Sequence, residues 1–188
     1  MPVDVLSVLR VDVFPTNARP STHRCSVFVI LNQRRKGKQM TAAVRLQKEL
    51  MDLMMSGVEG ISAFPCDDNL FEWTATVQGA DSTAYEGLDF QLTLKFGSNY
   101  PFEPPTVTFV TPCFHPNVDC HGAICLDILK ENWTAVLTAS QVLLSIQSLL
   151  DNPNNASPLN PQAAALWGDQ VEFKRAVRAA YDAKGKGM

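Results

Sequence analysis

Phe71-Glu72-Trp73-Thr74-Ala75-Thr76-Val77-Gln78 alternates apolar and polar residues at every step. Strict alternation puts apolar side chains on one face of a β-strand and polar side chains on the other. The same pattern recurs after a turn, at Phe90, Leu92, Leu94 and Phe96, and a third strand begins at Val107 and Phe109. Strands with one buried face are typical of an antiparallel meander. The sequence therefore predicts an α+β domain in which helices cover one face of the sheet.

The helices are predicted from apolar residues at helical spacing. Between Met40 and Ser56 these residues are Leu46, Leu50, Leu53 and Met54. Residues 137–150 are apolar on nearly every side, which predicts a central, buried helix. Residues 161–167 and 169–183 follow as two surface helices that close the domain.

Composition limits the class of protein. The chain has 188 residues, of which 46% are apolar, enough for one domain with a sizeable core. A formal charge of -3 gives no electrostatic case for nucleic acid or an anionic membrane as the main partner. Five cysteines, an odd number without repeating spacing, predict reduced thiols. Since we find no secretory signal either, we expect the protein in cytoplasm and nucleus.

The first 39 residues differ from the rest. Pro15 and Pro20 interrupt a mixed sequence, and residues 34–38 form a basic cluster. We expect residues 1–39 to form a disordered N-terminal extension, and residues 40–188 to form the domain.

Residues 113–129 hold most of the chemistry. Three of the five cysteines and two of the three histidines lie there. Cys125 is a candidate nucleophile, because Asn117 can donate a hydrogen bond to an oxyanion, Gly122 permits close backbone approach and Asp127 adds a carboxylate.

Two other interpretations of this stretch remain open. A zinc site needs thiolates and imidazoles, which are present, but no C-x-x-C pair occurs. Cys125 could also be a small core residue, since its neighbours include Ile124, Leu126 and Ile128.

The spacing of these residues resembles a known signature. His115-Pro116-Asn117 is followed eight residues after the asparagine by Cys125, and Trp133 follows eight residues later. This pattern resembles the active site of ubiquitin-conjugating enzymes, and the resemblance extends over roughly residues 40–183. It implies the ubiquitin-conjugating fold, with an N-terminal helix, a four-stranded antiparallel meander, a central buried helix and two C-terminal helices. Residues 40–188 would then be the catalytic domain.

Four stretches resemble one type within that family, the cyclin-selective C-type that works with the anaphase-promoting complex. They are Leu53–Gly57, Gly60–Pro65, Asp68–Phe71 and Leu143–Leu150. The resemblance implies a role in cell-cycle protein degradation. The N-terminal extension does not resemble that of the C-type enzymes.

The resemblance also implies roles for the site residues. Cys125 would accept ubiquitin as a thioester from the activating enzyme and pass it to substrate lysines. Asn117 would stabilise the oxyanion and Asp127 would steer the incoming lysine. The structural residues at the site would be His115, Pro116, Trp133 and Ser157. Many members carry an acid at the position of Ser157.

Partner contacts are implied in the same way. Arg45 and Lys48 would contact the activating enzyme, unless they are ordinary solvated charges. A RING-type ligase would contact two loops, through Pro101, Phe102, Thr134 and Ala135. Phe102 could instead be tucked inward. We expect a monomer without metal or cofactor, because the activating enzyme uses the ATP.

Two rival functions stay open. The chain could conjugate a different ubiquitin-like modifier, or it could be a non-catalytic ubiquitin-binding variant of the fold. Such variants lack the cysteine, whereas this chain has both Cys125 and Asn117.

Overall fold

The computed structural model describes residues 42–183, and these form one mixed α+β unit. Four strands pair in the order β1-β2-β3-β4, each antiparallel to the next. Their bounds are β1 Ile61–Cys66, β2 Asn69–Gln78, β3 Asp89–Lys95 and β4 Thr106–Phe109. The predicted four-stranded meander is therefore confirmed. The expected disordered extension, residues 1–39, lies outside the described residues.

Strand β1 is the one strand that alternation did not predict. Only Ala63 of this strand is buried, so its sequence carries no apolar stripe. It contains Pro65, which has no amide proton to donate and is tolerated because β1 forms the edge of the sheet. In β2, by contrast, Trp73, Ala75 and Val77 are all buried, as the alternation predicts.

Two helices cover the buried face of the sheet. Helix α1, Ala42–Ser56, contacts β1 and β2, and helix α2, Ala139–Asp151, contacts β2 and α1. The residues of α2 that join the core are Ala139, Val142, Leu143, Ile146, Leu149 and Leu150. Leu144 is 40% exposed, so one side of α2 faces solvent although most of its side chains are apolar. Met54 in α1 is likewise exposed, although its spacing suggested the core.

Two shorter helices complete the domain. Helix α3 is Pro161–Leu166 and helix α4 is Gln170–Asp182. Asp169 caps α4, because its carboxylate accepts the amide protons of Val171 and Glu172. Phe173 and Val177 of α4 lie buried in the core. Within the described part of the chain, no helix is long and apolar enough to cross a membrane.

Candidate functional site

The candidate site is built on a short hairpin, residues 117–125, which we call the site hairpin. Val118 and Ile124 face each other as an antiparallel bridge. The amide of Cys125 donates to the carbonyl of Asn117 at 2.9 Å. Two residues that lie eight positions apart in sequence are therefore held side by side at the open end of the hairpin.

The turn of the site hairpin is held by one carboxylate and one glycine. Oδ1 of Asp119 accepts the amide protons of His121 and Ala123, each at 2.8 Å, and the bond from Ala123 is the main cause that lowers the pKa of Asp119. Gly122 has φ of +82°, and a Cβ added there would lie 2.2 Å from the carbonyl oxygen of Phe109. Its own carbonyl accepts the amide proton of Phe109, which joins the hairpin to β4. Glycine is required at this position.

His115 is fully buried, and both nitrogens of its ring are engaged. Nδ1 accepts the amide proton of Asn117 at 3.0 Å, so the ring proton belongs on Nε2, which lies 2.9 Å from the carbonyl oxygen of Leu149 in α2. Burial lowers the pKa of His115 to about 4, although the bond to Leu149 opposes that shift. The imidazole is therefore neutral near pH 7 and has no free nitrogen to act as a base for Cys125.

The side chain of Asn117 pairs with the backbone of Asn154 just beyond α2. Its Nδ2 donates to the Asn154 carbonyl at 2.8 Å, and its Oδ1 accepts the Asn154 amide proton at 2.7 Å. The residue is 1% exposed. An amide nitrogen carries two protons, so one N–H of Nδ2 is left after this pairing. The loop that contains Asn154 makes a second attachment further along the chain. There the carbonyl of Pro116 accepts hydrogen bonds from the amides of Leu159 and Asn160.

Cys125 is half-buried, and its sulfur lies beside a charged side chain. Nζ of Lys130, an exposed side chain, lies 3.3 Å from Sγ of Cys125. A short 3-10 helix, Asp127–Leu129, turns the chain back between these two residues, and the amide of Lys130 closes that turn by donating to the carbonyl of Asp127 at 2.9 Å. The contact therefore depends on the local backbone path.

The carboxylate of Asp127 accepts hydrogen bonds within the turn that follows it. Its Oδ1 accepts the amide proton of Ile128, and its Oδ2 accepts a proton from the Asn132 side chain, each at 2.8 Å. The residue is exposed, and each carboxylate oxygen can accept a further hydrogen bond. Ser157 is also exposed and forms no hydrogen bond to any residue of 42–183 through its hydroxyl.

The four cysteines that the structure describes have different surroundings. Cys66 lies with its sulfur 3.0 Å from the hydroxyl of Thr74 in the sheet. Burial raises the pKa of the Cys113 thiol well above its usual range. Cys120 is exposed on the turn of the site hairpin. Across residues 42–183, no three His, Cys, Asp or Glu side chains gather as a metal site would require.

Two comparisons with known proteins agree with this geometry. The family model described as "Ubiquitin-conjugating enzyme" matches residues 45–181. A protein of Schizosaccharomyces pombe, named "Ubiquitin-conjugating enzyme E2-20 kDa", is 55% identical over 139 residues, which cover 73% of this chain and 79% of that protein. This chain belongs to the ubiquitin-conjugating enzyme family. It is a ubiquitin transferase that works through a thioester, and its partners are ubiquitin, an activating enzyme and a ligase.

In this ubiquitin-conjugating enzyme, the two loops expected to contact the ligase lie side by side. Nε1 of Trp133 donates to the carbonyl of Pro101 at 2.8 Å, which ties one loop to the other. Phe102 is 81% exposed, so it is not tucked inward. Thr134 is exposed and Ala135 is partly buried. Val136, which the sequence analysis did not select, is also 81% exposed and lies next to them in the chain.

Helix α1 buries one charged side chain, that of Glu49. The structure buries its carboxylate, which accepts hydrogen bonds from Arg45, from the hydroxyl of Tyr100 and from the amide of Ala139 at 2.7 Å. Three donors compensate for burying the charge. Arg45 is tied down by the same contact and also donates to the carbonyl of Leu137 at 3.1 Å, whereas Lys48 is exposed.

Sequence reasoning missed Glu49, Lys130, Val136 and the pairing of Asn154 with Asn117. One of these had a usable signal, since Lys130 lies only five residues from the candidate nucleophile. Glu49 meets Tyr100 and Ala139 across 51 and 90 residues of sequence, and local periodicity does not reveal such contacts.

Proposed function

We propose that Cys125 is the residue that carries ubiquitin. Its thiolate attacks the thioester by which the activating enzyme holds the C-terminal glycine of ubiquitin. A carbon–sulfur bond forms at Cys125 as the bond to the activating enzyme's sulfur breaks. One thioester replaces another, so the chain needs no metal or cofactor of its own for this step. The activating enzyme uses the ATP.

The observation that carries this proposal is the surroundings of Cys125. The site hairpin holds it beside Asn117, and the ammonium group of Lys130 lies 3.3 Å from its sulfur. Reactive cysteines characteristically lie in partly exposed, electropositive surroundings. Cys113 has the opposite environment, because burial raises the pKa of its thiol and keeps it protonated.

In the second step a substrate lysine attacks the thioester carbonyl. A carbon–nitrogen bond forms, the bond to Sγ breaks, Cys125 leaves as a thiolate and the amine loses its proton. We assign the free N–H of the Asn117 side chain to the oxyanion of the tetrahedral intermediate. Its pairing with Asn154 holds that amide in one orientation, and loss of such a preorganised donor typically slows a reaction by about a hundred- to a thousand-fold.

The remaining residues at the site have supporting roles in this mechanism. His115, Pro116 and Trp133 hold the loops, since each engages another segment through hydrogen bonds. Asp127 is exposed, and its carboxylate can accept a hydrogen bond from the ammonium group of an incoming lysine. Ser157 is exposed in the loop that Asn117 and Pro116 hold, and it carries no charge of its own.

A non-reducing gel tests the role of Cys125. The full chain is incubated with ubiquitin, activating enzyme and ATP, beside the Cys125→Ala variant and the matched controls Cys113→Ala and Cys120→Ala. We expect a thiol-sensitive band one ubiquitin heavier that is lost only in Cys125→Ala. The same band in Cys125→Ala, or its loss in a folded control variant, would contradict the assignment.

For the activating enzyme, we propose that α1 provides the docking surface. Lys48 offers an exposed ammonium group for electrostatic attraction. Arg45 contributes mainly by holding α1 against the segment before α2, because its guanidinium group already binds Glu49 and the carbonyl of Leu137. A Lys48→Ala variant should therefore need more activating enzyme for the same charging rate, and this effect should weaken as salt is added.

For the ligase, we propose the surface formed by Pro101, Phe102, Thr134 and Ala135, extended by Val136. Two large apolar side chains, Phe102 and Val136, are each 81% exposed there. Exposed apolar side chains on neighbouring loops commonly mark a protein-binding surface. The bond from Trp133 to Pro101 keeps the two loops together, so the surface is preformed.

We propose the anaphase-promoting complex as that ligase, in cell-cycle protein degradation in cytoplasm and nucleus, with a monomeric enzyme. What supports this is the resemblance to the C-type. The matching stretches lie at the end of α1, in β1, at the start of β2 and in α2. The test is discharge of the charged enzyme by the purified complex and by an unrelated RING ligase. If the unrelated ligase speeds discharge and the purified complex does not, this part of the proposal is contradicted.

A further inference from the structure

Glu49 is the one carboxylate that is buried within residues 42–183, and a single oxygen of it binds two distant segments. Its Oε2 accepts the hydroxyl proton of Tyr100 at 2.8 Å and the amide proton of Ala139 at 2.7 Å. Its Oε1 accepts a hydrogen bond from Arg45, one turn earlier in α1. The start of one loop and the end of another therefore meet on one side chain of α1.

These contacts lie next to the surface proposed for the ligase. Tyr100 lies two residues before Phe102, and Ala139 lies three residues after Val136. Phe102 and Val136 are the two side chains of that surface that are each 81% exposed. Each exposed apolar side chain is thus only a few residues from a bond to Oε2 of Glu49.

The buried pair of Arg45 and Glu49 makes a further attachment beside Val136. Arg45 donates to the carbonyl of Leu137, the next residue in the chain, at 3.1 Å. The bond from Trp133 already ties the two loops to each other. The buried pair ties both loops to α1, so it fixes where they lie relative to the body of the domain.

We infer that Glu49 is a positioning residue for ubiquitin transfer with a ligase. Its carboxylate holds Phe102 and Val136 at a set separation before the ligase binds, although it is buried and does not touch the ligase or the reacting atoms. A binding surface whose side chains are already placed loses less conformational freedom on association. This inference rests on the proposed ligase surface.

Glu49→Gln tests the role of the carboxylate, because an amide side chain offers a single acceptor oxygen. If that oxygen takes the place of Oε2, the NH₂ group faces the guanidinium group of Arg45. If it takes the place of Oε1, the NH₂ group faces the amide of Ala139. A donor faces a donor in both arrangements, so α1 or a loop must shift.

Tyr100→Phe is the milder variant. It removes the hydroxyl but keeps the ring, whose centroid lies 4.9 Å from that of Phe96 and 5.9 Å from that of Trp133. The carboxylate keeps its bonds to Arg45 and Ala139 in this variant. Only the attachment of the loop that carries Phe102 is lost.

The experiment is discharge of the charged full-length enzyme onto free lysine. Discharge is measured without ligase and then with increasing amounts of the purified anaphase-promoting complex or of the unrelated RING ligase, relative to the thioester that each variant forms. The variants are Glu49→Gln, Tyr100→Phe, Phe102→Ala and Tyr100→Phe combined with Phe102→Ala. Val177→Ala removes part of a side chain that is 1% exposed in α4 and serves as the control for lost stability.

We expect Glu49→Gln to raise the ligase concentration for half-maximal discharge by about five- to tenfold, and Tyr100→Phe by about three- to fivefold, as the loss of a hydrogen bond would. The rate without ligase and the rate at saturating ligase should change less than about twofold, because binding is lost and not chemistry. Val177→Ala should match the unaltered enzyme in the titration. When Phe102 is already alanine, Tyr100→Phe should have no further effect.

The outcomes separate this inference from the surface on which it rests. If Phe102→Ala weakens stimulation by the ligase while Glu49→Gln and Tyr100→Phe do not, the inference alone is overturned. An equal effect of Tyr100→Phe with and without the Phe102 side chain also overturns it, since Tyr100 would then act independently of the surface. So does an effect of Val177→Ala as large as that of Glu49→Gln. If Phe102→Ala changes discharge with neither ligase, the proposed surface and this inference fail together.

Discussion

Glu49→Ala should lower the free energy of unfolding by about 4 kcal/mol. Glu49 is 4% exposed and accepts hydrogen bonds from Arg45, Tyr100 and Ala139. Removing one partner of a buried ion pair typically costs about 3–5 kcal/mol, and each buried donor left without an acceptor costs about 1–3 kcal/mol. The total loss should be smaller than these costs added together, because Arg45 keeps its hydrogen bond to the carbonyl of Leu137.

The assay is urea-induced unfolding at neutral pH, followed by the fluorescence of the three tryptophans, of which Trp73 is fully buried. Glu49→Gln keeps the shape and one acceptor oxygen, so we expect a smaller loss of about 1–3 kcal/mol. The matched control is Glu172→Gln, which breaks an exposed ion pair with Arg175 on α4 and should cost less than about 1 kcal/mol. If Glu49→Ala lies within about 1 kcal/mol of the unaltered protein, the buried network does not hold α1, Tyr100 and α2 together.

Three further predictions concern the ligase surface, the buried imidazole and the site hairpin. Phe102→Ala should reduce ligase-stimulated discharge by about tenfold or more while changing stability by less than about 0.5 kcal/mol, because the side chain is 81% exposed. His115 has a pKa of about 4 in the folded state against an ordinary 6.5, so its neutral form contributes stability above pH 6.5. About 3 kcal/mol of that stability should be lost as the pH falls from 6.5 to 4, since the unfolded chain binds the proton first. Gly122→Ala should destabilise by about 2–4 kcal/mol through positive φ and overlap with the Phe109 carbonyl, whereas Gly87→Ala, with positive φ and open space, should cost only about 1–2 kcal/mol.

Each of these predictions has its own control. Equal loss of charging and ligase-stimulated discharge in Phe102→Ala would argue against a ligase-specific role. Urea unfolding at several pH values, compared between the unaltered protein and His115→Gln, isolates the imidazole from the carboxylates. Parallel pH curves for the two proteins would contradict the burial argument. Equal destabilisation by Gly122→Ala and Gly87→Ala would show that the close approach to β4 is unimportant.

The elements that were predicted best from the sequence are those in which apolar side chains recur at the buried positions. In β2 the alternation of apolar and polar residues matches the buried positions Trp73, Ala75 and Val77. Strand β1 lacks that signal because only Ala63 is buried. Strand β1 is instead defined by its backbone hydrogen bonds to β2, and such bonds can form with almost any side chains.

The residues of the site could be predicted from the sequence, but their hydrogen bonds to distant segments could not. The spacing of Asn117 and Cys125 was readable, and the hairpin that joins them follows from the turn that ends at Gly122. The pairing of Asn117 with Asn154 spans 37 residues and depends on where α2 ends. The burial of Glu49 required the sheet, α1 and α2 to be assembled first.

Changing the chemistry of the bond between residue 125 and ubiquitin shows whether ubiquitin is carried on Cys125. In Cys125→Ser an oxygen replaces the sulfur, so ubiquitin would be held by an ester that resists thiols and is cleaved by strong base. We predict a thiol-resistant, base-labile adduct that peptide mass mapping locates at residue 125. An adduct that stays thiol-sensitive in this variant would place ubiquitin on another cysteine and contradict the account.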